Sequence, residues 1–176
     1  MSGDGNGWAA GPGGGTLWGR FGAAGLLLVA RREGTVLMQH RAPWTHHGGT
    51  WALPGGARDS QETATDAALR EAREETAIDA AQIRVLAEHR TAGPFPADPE
   101  RPELAGQWTY TTVLAETVTG AAVPYEPNEE SVELRWVPIE EVADLVLLPA
   151  FARAWPGLRR LLGGVVPAAE GSPSDE

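Results

Sequence analysis

The chain of 176 residues is long enough for one domain with a buried core, and its shares of hydrophobic (42%) and charged (22%) residues are those of an ordinary globular protein. The formal net charge is −10 and all 14 basic residues are arginine, which excludes the basic footprint of a duplex nucleic-acid binder and any lysine Schiff-base chemistry. The absence of cysteine excludes a disulfide scaffold, a thiol nucleophile and a cysteine zinc site. No apolar run approaches the roughly 20 residues of a membrane helix and no secretory signal is present, so we expect a cytoplasmic protein without a membrane partner.

Both ends of the chain are rich in small and polar residues. Residues 1–18 are Gly-rich, residues 164–176 are acidic, and neither segment shows a core-forming apolar pattern. Such segments bury too little surface to offset the entropy that is lost on ordering. We therefore predict flexible tails at both ends and one domain over residues 19–163.

Between the predicted tails, strand and helix patterns follow one another along the chain. Strand patterns cover residues 21–31, 35–41, 50–53, 83–91, 107–116 and 132–137, helical patterns cover residues 64–76, 138–144 and 149–162, and a proline-rich loop covers residues 92–105. Thr63 and Asp66 have the spacing of a capping box, which predicts where the first helix begins. Strands interleaved with helices in this way predict an α/β layered domain.

The first predicted helix carries a concentration of carboxylates. At about 100° per residue, Glu71, Glu74 and Glu75 fall on one face of this helix. Three neighbouring carboxylates repel one another unless a cation lies between them. Oxygen ligands of this kind suit a hard ion such as Mg²⁺, Mn²⁺ or Ca²⁺. Taken alone, the segment is also typical of a solvated acidic helix surface, with Arg70 paired to Glu74.

The residues around this helix decide between the two interpretations. The pattern consists of Gly56, Glu62, Arg70, Glu71, Glu74, Glu75 and Ile78 at fixed spacing. It resembles the box of the Nudix hydrolases, G-x5-E-x7-R-E-U-x-E-E-x-G-U with U a bulky apolar residue; MutT is the familiar member of that family. Two positions differ, since Ala72 replaces the bulky apolar residue and Ala77 replaces the second glycine. The resemblance extends over roughly residues 21–162.

The resemblance implies a fold, a reaction and a cofactor. The implied fold is a Nudix-type α/β/α sandwich with a mixed β-sheet. The implied reaction is metal-dependent hydrolysis of a phosphoanhydride bond in a nucleoside diphosphate linked to another group, with Mg²⁺ as the cofactor and Mn²⁺ as a substitute. The implied metal ligands are Glu71, Glu74, Glu75 and the backbone carbonyl of Gly55. Arg70 and Glu62 are implied to orient the ligand glutamates.

Hydrolysis also needs a group that takes a proton from the attacking water. A glutamate beside the metal can do so, and some Nudix enzymes draw this base from a later loop. The later acids in this chain are Glu126, Glu129, Glu130 and Glu133. Glu130 is our first choice for the base, and the alternative is that it is a solvated loop acid.

The expected substrate is a small nucleotide, either a nucleoside triphosphate, damaged ones included, or a nucleoside diphosphate sugar. The compact MutT-like arrangement favours the triphosphates. Trp44, Trp108 and Tyr110 offer surfaces for stacking on a base, with core packing as the alternative. His46 and His47 lie in a loop predicted at the mouth of the site. Whether they contact the substrate or only form a polar loop is left open.

Three rival interpretations start from the same resemblance. A non-catalytic Nudix-fold domain would sense a nucleotide, but such domains commonly lose box glutamates and this chain keeps all three. The net charge of −10 and the absence of lysine argue against a long RNA as partner. The absence of cysteine argues against an isopentenyl diphosphate isomerase. A homodimer is left open as the state of assembly.

Overall fold

The computed structural model describes residues 3–165 of the chain. The strands are β1 (Trp8–Ala10), β2 (Thr16–Trp18), β3 (Ala23–Ala30), β4 (Thr35–Arg41), β5 (Trp51–Ala52), β6 (Gly55–Ala57), β7 (Ile83–Phe95), β8 (Trp108–Thr117) and β9 (Ser131–Pro138). The α-helices are α1 (Ala64–Thr76) and α2 (Pro149–Val165), and short 3₁₀ helices cover Pro12–Gly14, Ala80–Gln82 and Ile139–Asp144. None of the helices within residues 3–165 combines the length and apolarity of a bilayer-spanning segment. The tail predicted over residues 164–176 lies outside the described residues from residue 166 onward.

A seven-stranded mixed sheet forms the centre of the fold. Five of its strands run in the order β5-β4-β3-β8-β7, while β6 pairs with β3 and β9 pairs with β4. The β3 and β8 strands are parallel, and the remaining pairs in the sheet are antiparallel. The sheet therefore places β3 between β4 and β8, beside the short strand β6 that leads into α1.

Alternating side chains of β3 pack on opposite faces of the sheet. Leu26 and Leu28 join a buried cluster with α1 residues such as Ala68 and Ala72. Leu27 joins a second buried cluster on the other face, with α2 residues such as Trp155, Leu158 and Leu162. The sheet thus lies between two helices, which confirms the predicted α/β/α sandwich with a mixed β-sheet.

Helix α1 has the bounds that its pattern predicts. The Thr63 side chain accepts a hydrogen bond from the Asp66 backbone N–H, and the Asp66 side chain accepts one from the Thr63 N–H, so the predicted capping box is confirmed. The small side chain of Ala72 is buried against the sheet. At the other end, Ala77 caps the helix in the left-handed conformation (φ 62°), the conformation that glycine adopts without strain.

The loop predicted over residues 92–105 is shorter than expected because β7 continues to Phe95. Ala92 pairs with Tyr110 and Phe95 pairs with Trp108, with irregular register between them. Proline is tolerated here because β7 is an edge strand, where a missing N–H need not break a ladder. The extension brings Phe95 beside Trp108, with ring centroids 6.1 Å apart.

The prediction of a flexible tail over residues 1–18 is corrected for residues 8–18. Strands β1 and β2 form an antiparallel hairpin in which Trp8 faces Trp18. Gly13 adopts a left-handed conformation (φ 65°) in the turn between them, so this glycine shapes a hairpin rather than a linker. Ala9 and Ala10 are buried, and the Ala10 N–H donates to the carbonyl of Ala105 at 2.8 Å.

Candidate active site

The box residues open into a pocket of about 630 Å³, a volume typical of small-molecule sites. Its inner end is lined by carboxylates, by β6 and by Arg41. Its outer end is lined by aromatic and small apolar residues. The inner residues include Arg41, Gly55, Gly56, Glu71, Glu74 and Glu130. The outer residues include Pro12, Leu17, Trp18, Phe95, Trp108, Ala150, Phe151 and Ala154.

Glu75 is buried behind the inner end of the pocket, with a relative exposure of 3%. The backbone N–H of Gly55 donates to Glu75 Oε2 at 2.9 Å, which ties α1 to strand β6. Glu71 lies one helical turn away, so close to the backbone that a Cβ on Gly56 would come within 2.6 Å of its carboxyl carbon. The first glycine of the box is therefore needed to make room for a carboxylate.

Arg70 connects the helix to the loop before it. Its Nε and Nη2 donate to the two carboxylate oxygens of Glu62 at 2.5 and 3.0 Å, and its Nη1 donates to Glu71 Oε1 at 2.8 Å. The hydrogen bonds from Arg70 lower the pKa of Glu62 and keep it ionised, while those to Glu62 raise the pKa of Arg70. A planar guanidinium that bridges two carboxylates fixes the direction of Glu71. Arg70 and Glu62 therefore have the contacts expected of positioning residues.

Electrostatics at the inner end of the pocket disfavours ionised carboxylates. Burial raises the pKa of Glu71, although Arg70 opposes the shift. Burial, followed by the charges of Glu71 and Glu130, raises the pKa of Glu75 well above its ordinary value, against the Gly55 hydrogen bond. Carboxylates that repel one another in a partly desolvated site are stabilised when a cation neutralises them.

The donor set at this end fits a hard divalent cation. Carboxylates and the backbone of Gly55 supply oxygen ligands of the kind that Mg²⁺ and Mn²⁺ prefer. Glu74 is half exposed and lies 3.6 Å from Arg70 Nη1. Within residues 3–165, no three His, Asp or Glu side chains converge closely enough to enclose an ion by themselves. The assignment of the metal ligands stays a prediction.

The structure brings one of the four candidate bases into the pocket. Glu130 lines the inner end and its charge acts on both Glu71 and Glu75. Its loop is tied to α1, since the Asn128 side chain donates to the carbonyl of Glu74 at 3.3 Å. The pocket lining does not include Glu126, Glu129 or Glu133.

The loop with the adjacent histidines reaches the same pocket. His46 and His47 both line it, and their rings meet edge to face with centroids 4.1 Å apart. Partial burial, followed by the charges of His46 and Arg41, lowers the pKa of His47. Arg41, which also lines the pocket, places a permanent positive charge near this loop.

The three aromatic residues expected to stack on a base differ in exposure and in their position relative to the pocket. Trp44 is 74% exposed and does not line the pocket. Trp108 is buried and donates its indole N–H to the Trp18 carbonyl at 3.1 Å. Tyr110 is half-buried above Gly25. The sequence analysis missed Trp18 and Phe95, because one lies in a segment interpreted as a tail and the other in a segment interpreted as a loop.

A comparison with protein families agrees with this geometry. The model of the NUDIX domain matches residues 19–173. The chain belongs to the NUDIX family. A protein of Mycobacterium tuberculosis named "Putative 8-oxo-dGTP diphosphatase 3" is 51% identical over 90% of this chain and 71% of its own length. A nucleoside triphosphate pyrophosphatase/Nudix hydrolase fusion protein of Bifidobacterium longum is 40% identical over 86% of this chain, which spans 30% of that protein.

Solved structures lead to the same family. The crystal structure of RenU, a Nudix hydrolase from M. smegmatis, superposes with a TM-score of 0.79 at 46% identity. The match covers 94% of this chain and 99% of RenU. Together with the three glutamates of the box, these relatives identify the chain as a Nudix pyrophosphohydrolase.

Proposed function

We propose that this Nudix enzyme is an Mg²⁺-dependent hydrolase of nucleoside triphosphates. The observation that carries the proposal is a single pocket with carboxylates at one end and aromatic rings at the other. The acidic end suits a metal-bound phosphate chain, and the aromatic end suits a base. A ligand that uses both ends is elongated, with one highly charged and one flat apolar part.

The carboxylates of Glu71, Glu74 and Glu75 and the carbonyl of Gly55 are the groups that would hold Mg²⁺, or Mn²⁺ in its place. When bound, the metal neutralises charge on the phosphoryl oxygens and lowers the pKa of a coordinated water. Arg70 and Glu62 hold the Glu71 carboxylate in place through the hydrogen bonds described above. Arg41, at the same end of the pocket, adds positive charge toward the phosphate chain.

Glu130 is the proposed general base. Its exposed carboxylate lies in the pocket beside Glu71 and Glu75, where it can accept a proton from the attacking water. As this proton leaves, the water oxygen forms a bond to phosphorus and the bridging P–O bond breaks. The leaving phosphate carries away the electron pair of that bond.

The similarity to a relative named as an 8-oxo-dGTP diphosphatase supports triphosphates as the first substrate class to test. An oxidised purine triphosphate would keep the flat ring system that the aromatic end can contact. Nucleoside diphosphate sugars form the second class, because they offer the same diphosphate to the acidic end. Few basic side chains line the pocket, which argues against a long polymer held by many phosphate contacts.

The test is a panel of both classes, with 8-oxo-dGTP and dGTP included, assayed with Mg²⁺, with Mn²⁺ and with EDTA. Hydrolysis in ¹⁸O-labelled water locates the attack, since label in the monophosphate reports the α-phosphorus and label in pyrophosphate reports the β-phosphorus. We expect turnover of triphosphates that EDTA abolishes. Turnover that resists EDTA, or turnover confined to compounds without a nucleoside, would overturn the proposal.

The assignment of the base needs its own variant. Glu130→Gln should lower kcat about 100-fold and remove the acidic limb of the pH–rate profile. Glu126→Gln, in the same loop but outside the pocket lining, is the matched control. An unchanged pH–rate profile in Glu130→Gln would assign the base elsewhere.

A further inference from the structure

We infer that the N-terminal hairpin is the base-recognition element of this enzyme, and that the indole ring of Trp18 stacks on the base of the bound nucleotide. The inference rests on the proposed function, which it deepens by assigning one end of the substrate to a segment outside the matched family model. That model begins at residue 19, directly after β2.

The hairpin is held against the domain by contacts before β1 and along it. Before β1, the Gly5 N–H donates to Asp59 Oδ1 at 2.8 Å, and Asp4 Oδ1 accepts from the Ser60 N–H at 2.8 Å. Along β1, the N–H groups of Ala10 and Ala105 donate to carbonyls of the opposite segment. These contacts fix the hairpin relative to the loop that precedes α1, and so relative to the box.

Trp18 is held through its backbone, and its ring packs on Trp8 while staying accessible. Its main-chain carbonyl accepts the Trp108 indole N–H at 3.1 Å, and its ring meets the Trp8 ring edge to face at 4.9 Å. It lines the pocket while remaining 47% exposed, whereas Trp108 is 7% exposed. A half-exposed aromatic ring that already packs against a neighbour suits stacking on a ligand, because part of its side-chain entropy is already lost.

The spacing of the pocket fits a nucleotide that reaches from the carboxylates to the hairpin. Trp108, Tyr110 and Thr112 alternate along β8 and all line the pocket. At about 3.3 Å per residue, this row spans about 13 Å. The pocket lining also includes Pro12 of the hairpin, Phe95 of β7 and three residues of α2, namely Ala150, Arg153 and Ala154. The base of a bound nucleotide would therefore contact mainly apolar residues, at a distance from the carboxylates.

The experiment compares two ligands in the presence of Mg²⁺ by calorimetry. One is a purine nucleoside triphosphate whose two bridging oxygens are methylene groups, and the other is inorganic tripolyphosphate. Trp18→Ala should raise the Kd of the nucleotide about tenfold, since stacking on a base is sensitive to loss of the ring. The Kd of tripolyphosphate should stay within about twofold. Trp18→Leu, which keeps apolar bulk against Trp8, should behave as Trp18→Ala does.

Two controls separate stacking from packing. Trp18→Phe keeps a ring and should restore nucleotide binding to within about threefold of the wild type. Trp44→Ala removes an exposed tryptophan that does not line the pocket and should leave both Kd values unchanged.

Each remaining outcome has a definite meaning. If Trp18→Ala weakens both ligands equally, or neither, the hairpin does not recognise the base and the inference is overturned. It is also overturned if the wild type binds the nucleotide no more tightly than tripolyphosphate. If the analogue binds through Trp18 while no nucleotide is hydrolysed, the inference stands and the proposed function fails.

Discussion

Two segments build the ends of one pocket, and they differ in how much of their role is visible in the sequence. The box segment, residues 56–78, presents charged residues at fixed spacing, and the spacing itself implies a helix face of carboxylates. The hairpin, residues 8–18, is mostly small residues without a core pattern. Both are ordered, and both line the same cavity.

The difference reflects the kind of contact that orders each segment. Helix α1 is set by neighbours in sequence, such as the capping box of Thr63 and Asp66. The hairpin is ordered by partners far along the chain, including Ala105 and Trp108. A local pattern can be derived from sequence, whereas contacts between distant segments cannot be derived from composition alone.

The largest effect is expected at the acidic end. Replacing Glu75 by Gln keeps an acceptor for the Gly55 N–H but removes the charge that a metal needs, so kcat should fall at least about 1,000-fold at saturating Mg²⁺. The metal-free variant should melt at the wild-type temperature or above it, because a buried, repelled carboxylate is gone. Steady-state kinetics and thermal melts measure both effects, and Glu140→Gln on the surface serves as control. An unchanged kcat would refute the assignment.

The second effect tests whether the hairpin is part of the enzyme or a tail. Deleting residues 1–18 exposes the surface around Ala105 and Trp108 and removes Trp18 from the pocket. We expect kcat/KM for nucleotides to fall about tenfold and the melting temperature to fall by about 5 °C. If both were retained, residues 1–18 would act as the flexible tail that their composition predicts.

The third effect concerns the pair of Arg70 and Glu62. Glu62→Gln removes charge-assisted hydrogen bonds and should destabilise the protein by about 2 kcal/mol at pH 7, with kcat reduced about tenfold. The folded pKa of Glu62 is lowered, so its stabilisation is present above the ordinary value of 4.5 and is lost as the pH falls through the folded pKa. Urea unfolding at pH 7 and pH 3.5 should therefore show the difference shrinking at the lower pH. A difference independent of pH would contradict this origin.

The smallest effect is expected at the end of α1. Ala77 has a positive φ, so Ala77→Gly relieves strain there, partly offset by the freedom glycine gains in the unfolded chain. The net expectation is a stabilisation of about 0.5–1 kcal/mol in denaturant unfolding. Ala152→Gly on the exposed face of α2 is the matched control, where the same change should destabilise by about 1 kcal/mol.

Much of the domain could be predicted because its signals are local. The bounds of α1 and the strand β4 follow from side-chain periodicity and capping, and β3 follows from its continuous apolar run. The grouping of Glu71 with Glu75 follows from helical geometry. The sequence offers Glu130 only as the first choice among four acids for the general base. Phe95 and Trp18 could not be predicted as pocket residues, because an edge strand that tolerates proline and a hairpin bound to a distant loop leave no periodic signal.

Substitutions at the two ends of the pocket are expected to change different kinetic parameters, kcat at the acidic end and KM at the aromatic end. The most direct test measures kcat and KM of Glu75→Gln and Trp18→Ala side by side, on the same nucleoside triphosphate with saturating Mg²⁺. We predict that Glu75→Gln loses kcat with KM within about threefold of the wild type. Trp18→Ala should raise KM about tenfold with kcat within about threefold. If both variants changed the same parameter, or if Trp18→Ala changed neither, the division of the pocket into a catalytic end and a base-binding end would be contradicted.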